Sequence, residues 1–166
     1  FEWTHDLDKL ANLEERDDSY IAVVHADGNG MGARIKKLGE ELSQQPEKPR
    51  VYITKMRDLS NKVQYTAQVA LAKTLNDLAR YLREKDWEKP RQHVYDKEKD
   101  THYFPVRPIV FGGDDVTLVC AGPWALAIAR RYLWELEQLS LTDDMDDKPY
   151  ACAGVAIVKT HYPFSQ

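Results

Sequence analysis

The chain has 166 residues, of which 43% are hydrophobic and 30% are charged, and its formal net charge is −4. This length suits one compact domain with a real core, and the negative balance argues against a broad nucleic-acid surface while leaving a local basic groove possible. Cys120 and Cys152 lie in apolar runs, and no signal peptide or long apolar span is visible. We therefore expect small core cysteines, no membrane partner and a reducing, cytoplasmic setting. Because the chain begins with Phe1 and not Met, we also expect a piece of a longer protein.

The first part of the chain predicts a buried strand followed by a helix. Residues 1–19 are polar with leucines at helical spacing, which indicates a short helix or linker before a domain of residues 20–166. The nearly continuous apolar run from Tyr20 to Ala26 is typical of a central strand buried on both faces, so His25 is interpreted as a structural histidine. A short helix is expected from Met31 to about Leu42.

The middle of the chain predicts a long helix and a hairpin. Prolines break the chain near residues 44–49, and apolar residues three and four apart then predict an amphipathic helix from about Thr54 to Lys85. Residues 86–104 are charged without a clear period and are expected to form an exposed excursion. Two apolar runs on either side of the sequence Gly-Gly-Asp-Asp predict a hairpin over residues 107–120, whose glycines suit a tight turn with positive φ.

The order of elements predicts a fold class. A helix should follow the hairpin and end near Ser140, and a last strand should span Ala151 to Val158. The order βα(α)ββαβ is that of an α+β, ferredoxin-like palm, in which helices cover one face of an antiparallel four-stranded sheet. The first strand and the adjoining strand of the hairpin would be central, which brings Asp27 beside the acids of the turn.

Three carboxylates are the candidate catalytic and metal-binding residues: Asp27, Asp114 and Asp115. Unit charges about 4 Å apart repel by roughly 4 kcal/mol at an effective dielectric near 20, so such a cluster does not stay ionised unaided. No Lys or Arg lies within either acidic motif. Mg²⁺ or Mn²⁺ is therefore the expected cofactor, because both prefer hard oxygen ligands together with bound phosphates.

Glycines next to the acids predict a phosphate-binding loop. The sequence Gly28-Asn29-Gly30-Met31-Gly32 follows the first strand and opens a helix, whose first N–H groups can bind phosphate. Its spacing is neither that of a Rossmann loop nor that of a P-loop, and no serine-hydrolase, zinc-protease or Cys-His motif is present. Acids for metal and amides for phosphate together indicate nucleotide chemistry.

Three stretches, residues 21–32, 107–117 and 153–159, resemble the palm domain of the large subunit of type III CRISPR effector complexes, a relative of GGDEF diguanylate cyclases and class III adenylyl cyclases. The resemblance implies that two divalent ions join ATP into cyclic oligoadenylates with release of pyrophosphate. It implies that Asp27 and Asp115 hold the ions and that Asp114 is a third ligand or fixes the hairpin. It also places Gly112 and Gly113 against the nucleotide, and Asn29 stands where family members often carry an acid.

Three classes of function stay open at this point. They are an ATP-joining enzyme, with a GTP-using diguanylate-cyclase-like variant; a silent nucleotide-binding or assembly module of a larger complex; and a template-directed polymerase, which the acidic charge disfavours. One palm supplies one acidic centre, whereas joining two nucleotides needs a second surface. We therefore expect a homodimer or a second palm domain, with CRISPR effector subunits and, indirectly, guide RNA as further partners.

Overall fold

A computed structural model describes residues 2–4, 6–11, 19–43, 49–84, 94–96, 99–141 and 148–160. The helices are α1 (Leu7–Ala11), α2 (Met31–Ser43), α3 (Pro49–Glu84) and α4 (Ala125–Glu137), and the 3₁₀ turn Gly122–Trp124 leads into α4. The strands are β1 (Tyr20–Gly28), β2 (Val94–Asp96), β3 (Thr101–Tyr103), β4 (Val106–Gly112), β5 (Asp115–Ala121) and β6 (Ala151–Lys159).

The main sheet has four antiparallel strands in the order β4-β5-β1-β6. This confirms the α+β palm architecture and the central position of β1 and β5. Ala26 of β1 lies opposite Val116 of β5, so the register carried one step further puts Asp27 opposite Asp115. The tip of the β4–β5 hairpin and the end of β1 therefore meet at the same end of the sheet.

One face of the sheet carries the hydrophobic core. Alternation along β1 sends Ala22, Val24 and Ala26 to this face, where they join buried residues of β5 and of the helices α3 and α4, among them Val116, Leu118, Leu71, Leu78, Ile128 and Leu136. The prediction that β1 is buried on both faces is wrong, because His25 and Asp27 are exposed on the second face. Helices α3 and α4 cover one face alone, and on the other face the side chains of β1 are buried at Ile21 and open to solvent at His25 and Asp27.

The N-terminal helix α1 belongs to the packed structure. It contacts β1 and β5, and its residues Leu10 and Ala11 are buried. Ile21 and Ala121, which pair across β1 and β5 on the face away from the main core, are also buried. The chain before β1 therefore contains the predicted short helix, and this helix adds to the core.

Three predicted features differ in detail from the structure. Helix α3 begins at Pro49, five residues before the predicted start, because proline suits the first turn of a helix. The segment for which no element was predicted contains the paired strands β2 and β3. Cys120 is buried as expected, but Cys152 is exposed, because alternation puts it on the open face of β6. None of the described helices combines the length and the apolar composition that a membrane crossing requires.

Candidate active site

Asp27 and Asp115 form a carboxylate pair, which we call the acid pair, at the end of the open face of the sheet. Asp27 lies near the end of β1 and Asp115 begins β5, and the antiparallel register sets them side by side. Their side chains share a hydrogen bond, although both residues are exposed. A hydrogen bond between two carboxyl groups requires a proton on one of them, so this contact favours the protonated form of Asp115.

The pKa of Asp115 is raised above its usual value. The largest cause is the hydrogen bond to Asp27, followed by partial loss of solvent and by the negative charges of Asp114 and Asp27, while His25 acts in the opposite direction. Among the described residues, neither Lys nor Arg forms an ion pair with the acid pair. The acid pair therefore has unrelieved negative charge, which a cation could neutralise.

Polar side chains flank the acid pair on the open face. The His25 Nδ1 atom lies 2.8 Å from the Thr117 hydroxyl oxygen across β1 and β5. On the other side, the Asn29 side-chain amide donates to the Cys152 sulfur at 3.1 Å. The expectation that His25 is buried is wrong, and its position two residues before Asp27 on the same strand was the signal that could have shown this, whereas its contact with Thr117 agrees with a structural role.

The glycine loop after β1 turns the chain into α2. The backbone N–H of Asn29 donates to the Tyr150 carbonyl at 2.8 Å. Gly30 has a φ of 78°, which glycine adopts without steric cost. Helix α2 then begins at Met31, as the sequence predicts, and Gly32 lies in its exposed first turn. The N–H groups of a first helical turn have no partner within the helix, so this loop presents donors beside the end of β1.

The other two candidate glycines form the hairpin tip. Gly112 ends β4 opposite Asp115, and Gly113 has the positive φ, 62°, that the tight turn needs. A Cβ atom at either glycine would have nothing within 4 Å. The tip is therefore open on the side of Gly112 and Gly113, and a bulky ligand could approach their backbone closely.

Asp114 lies apart from the acid pair. A Cβ atom built on Gly28 would be 2.5 Å from the Asp114 Cβ, so the Asp114 side chain packs directly on the backbone of Gly28. Asp114 also lines a small cleft on the helix-covered side, together with Tyr132 and Arg34. The structure thus brings two of the three candidate acids together, and the third, in the turn before β5, packs on the other side against Gly28.

The donor atoms of the acid pair fit a hard divalent cation. Within the part of the chain that the structure describes, no group of three or more His, Cys, Asp or Glu side chains is arranged to hold a metal ion. The acid pair would therefore supply two carboxylates, and phosphate or water oxygens would complete the coordination. Mg²⁺ in particular is commonly held by one or two carboxylates together with substrate phosphates and several waters.

Comparison with known families adds to this geometry. Residues 20–166 match the family described as Cas10/Cmr2, second palm domain. The matched range contains the whole four-stranded sheet, both members of the acid pair and the glycine loop. The match confirms the resemblance found in the sequence. No curated protein matches the chain.

Proposed function

Because the chain belongs to the Cas10/Cmr2 second palm domain family, we propose that it is a nucleotidyltransferase that joins ATP into cyclic oligoadenylates and releases pyrophosphate. Membership of the family supports a nucleotide cyclase or polymerase-like role. The observation that carries the proposal is the acid pair, two carboxyl groups that share a hydrogen bond on the open face and form no ion pair with a described Lys or Arg.

The reaction is a displacement at phosphorus. A ribose hydroxyl oxygen of one ATP forms a bond to the α-phosphorus of another, the bond from this phosphorus to the bridging oxygen breaks, and pyrophosphate leaves while the hydroxyl proton passes to solvent. Two bound divalent ions would activate the hydroxyl and stabilise the charge on the pyrophosphate. A side-chain nucleophile is not needed, which agrees with the lack of a hydrolase motif in the sequence.

We assign the roles by position around the acid pair. Asp27 and Asp115 would hold Mg²⁺ or Mn²⁺, since carboxylate oxygens are the ligands these ions prefer. The backbone of the loop from Gly28 to Gly32 would lie against the triphosphate at the start of α2, where the N–H groups of the first helical turn are the donors, since the Asn29 N–H is bound to the Tyr150 carbonyl. Gly112 and Gly113 leave room for the nucleotide beside the hairpin tip.

The open face supports the need for a second binding surface. His25 and Asp27 on β1 are exposed, and the residues of β6 on the same face are Cys152, Gly154 and Ala156, all small and exposed. A second palm, in a homodimer or in a longer chain, could approach such a surface closely and present the other nucleotide. We propose this arrangement in a cytoplasmic effector complex of the CRISPR type.

A silent nucleotide-binding module is the second candidate. The observation in its favour is Asn29, whose amide contacts Cys152 where related palms often carry an acid, so the described site has two clustered carboxylates. This module would bind nucleotide and metal without turnover.

The test is to incubate the chain with ATP or GTP and Mn²⁺ or Mg²⁺, and to measure pyrophosphate and cyclic products by mass spectrometry. We expect Asp27→Asn and Asp115→Asn each to lower product formation by a factor of at least about 100, because each removes a charged ligand. Asp58→Asn on the exposed face of α3 is the matched control and should leave the rate unchanged.

Mn²⁺ binding in the presence of ATP, measured by electron paramagnetic resonance, separates the two candidates. Binding without product supports the silent module. Product formation that survives Asp115→Asn would show that the acid pair is not the site.

A further inference from the structure

A small cleft lies on the helix-covered side of the hairpin tip. Asp114, Gly28 and Tyr132 line it, together with apolar side chains of α3 and α4 and with the polar residues Arg34, Thr66 and Tyr150. The acid pair lies on the opposite face of the sheet. The cleft therefore contacts the hairpin tip from the core side, and Gly28, Asn29 and Met31 of the proposed phosphate-binding loop also line it.

Tyr132 gives this cleft an unusual polar group. The residue is 3% exposed, and its hydroxyl has no hydrogen-bond partner among the described residues. Buried hydroxyl groups in folded proteins nearly always have a partner, either a protein group or an ordered water. The Tyr132 hydroxyl therefore needs a hydrogen-bond partner inside the cleft.

Asp114 is the acidic residue that lines the same cleft. Burial raises the pKa of Tyr132 to about 12, and the negative charge of Asp114 contributes to the rise, so the two groups interact electrostatically. The cleft has an internal volume of about 20 Å³, which is enough for about one water molecule between them.

Asp114 is also the residue through which the hairpin tip meets β1. Its Cβ packs on the backbone of Gly28, the residue directly after Asp27, and its chain neighbour Asp115 carries the other carboxyl of the acid pair. A displacement of Asp114 would therefore move Asp115 relative to Asp27.

We propose that Tyr132 is a positioning residue, whose hydroxyl donates through one bridging water to Asp114 and so fixes the hairpin tip against β1, with Asp115 beside Asp27. Asp114 then acts on the side of the core and is not a metal ligand. The consequence for catalysis rests on the proposed function, whereas the contact itself can be tested without metal or nucleotide.

The test compares Tyr132→Phe, which removes the hydroxyl and keeps the ring, with Tyr65→Phe on the exposed surface of α3 as a matched control. Hydrogen exchange is measured in metal-free protein at the amides of residues 111–116. We expect Tyr132→Phe to speed exchange there about three- to tenfold, the size expected when one net hydrogen bond is lost, and Tyr65→Phe to leave it unchanged.

A double-mutant comparison makes the assignment specific. In an Asp114→Ala background, Tyr132→Phe should add no further acceleration, because the partner of the hydroxyl is already missing. Asp114→Asn keeps an acceptor oxygen and should restore slow exchange in part. The Mn²⁺ affinity of Tyr132→Phe with ATP should fall by a similar three- to tenfold factor.

The outcomes separate the inference from the proposed function. Unchanged exchange at the tip in Tyr132→Phe, additive effects with Asp114→Ala, or faster exchange along all of α4 with a lower melting temperature would overturn the positioning role. If Tyr132→Phe speeds exchange at residues 111–116 but the wild-type protein binds no Mn²⁺ in the presence of ATP, the contact is supported and the metal site is refuted.

Discussion

The raised pKa of Asp115 affects the stability of the protein without metal. Because the folded-state pKa of Asp115 is raised above its unfolded value, the folded protein holds more protons in the pH range between the two values. The stability contributed by this group is present below the unfolded pKa and is lost as the pH rises through the folded pKa. The acid pair therefore lowers the stability of the metal-free protein at neutral pH.

The substitution Asp115→Asn removes this loss of stability at neutral pH. We expect the variant to be more stable than the wild type at pH 7 in EDTA, by less than about 1 kcal/mol because the pair is exposed to solvent. Urea unfolding at pH 7 and near pH 3 measures the difference, which should shrink at the lower pH, because the raised pKa of Asp115 costs no stability once the unfolded protein also binds this proton. A variant that is less stable at pH 7 would contradict a raised pKa of Asp115 in the folded protein.

Gly28 tests the contact between β1 and the hairpin tip. Gly28→Ala places a Cβ 2.5 Å from the Asp114 Cβ, so the tip must shift, and we expect a loss of about 1–3 kcal/mol in the free energy of unfolding. Gly32→Ala is the matched control. A Cβ there meets nothing within 4 Å, and alanine favours the helix, so stability should be unchanged or should rise by up to about 1 kcal/mol.

Urea unfolding of both glycine variants gives the comparison. In an Asp114→Gly background the cost of Gly28→Ala should largely disappear, since the opposing Cβ is gone. Equal costs in the two backgrounds would mean that Gly28 does not pack against Asp114.

At the scale of elements, the contact between α3 and α4 contains a buried charge. Glu135 on α4 is buried, and its carboxylate is bonded to Arg131 and lies 3.6 Å from Lys73 of α3. Arg131 also pairs with Asp77 of α3 and stacks on the Trp134 ring. This network ties together the two helices that cover the core face of the sheet.

Arg131→Met should therefore destabilise the protein. The change leaves Glu135 with Lys73 as its remaining cation, and we expect a loss of about 2–4 kcal/mol in urea unfolding at pH 7, since a buried carboxylate loses its closest partner. Lys36→Met breaks an exposed pair with Glu40 on α2 and serves as the control, with an expected change below about 0.5 kcal/mol. A similar small change in both variants would show that the network adds little.

The elements that the sequence predicts well are those with long patterns. The apolar run of β1, the two runs of the hairpin and the helical spacing of α3 and α4 each specify an element, and the antiparallel order then brings Asp27 to Asp115. The strands β2 and β3 have three residues each, too few for a period, and were missed.

The features of the site that the sequence did not predict depend on tertiary structure. An apolar run does not show which face of a strand the helices leave open, so His25 and Cys152 were expected in the core and are exposed. Asp114, in the turn before β5, packs against Gly28, and the cleft with Tyr132 is formed by elements distant in the sequence. Periodicity carries no information about such a cleft.

At the scale of the whole molecule, the two faces of the sheet have different roles. Helices α3 and α4 and the core hold β1 and β5 in register, and the opposite face presents the acid pair with the loop at the start of α2. The main core therefore lies on one side of the sheet and the proposed chemistry on the other. Substitutions in the acid pair should consequently impair activity without unfolding the protein.

Substitutions in the N-terminal helix α1 test where this domain begins. Residues 1–19 lie outside the range matched by the family, yet Leu10 is 1% exposed and α1 contacts the central strands. A five-residue helix is not stable alone, so α1 forms because Leu10 is buried. We expect Leu10→Ala to lower the free energy of unfolding by about 2–4 kcal/mol in a single transition, and Leu7→Ala, at 40% exposure, by less than about 1 kcal/mol. Equal, small effects of the two variants in urea unfolding would mean that α1 adds nothing to the core and that the domain begins at β1. A large effect of Leu10→Ala beside a small effect of Leu7→Ala would mean that the folding unit extends beyond the matched range.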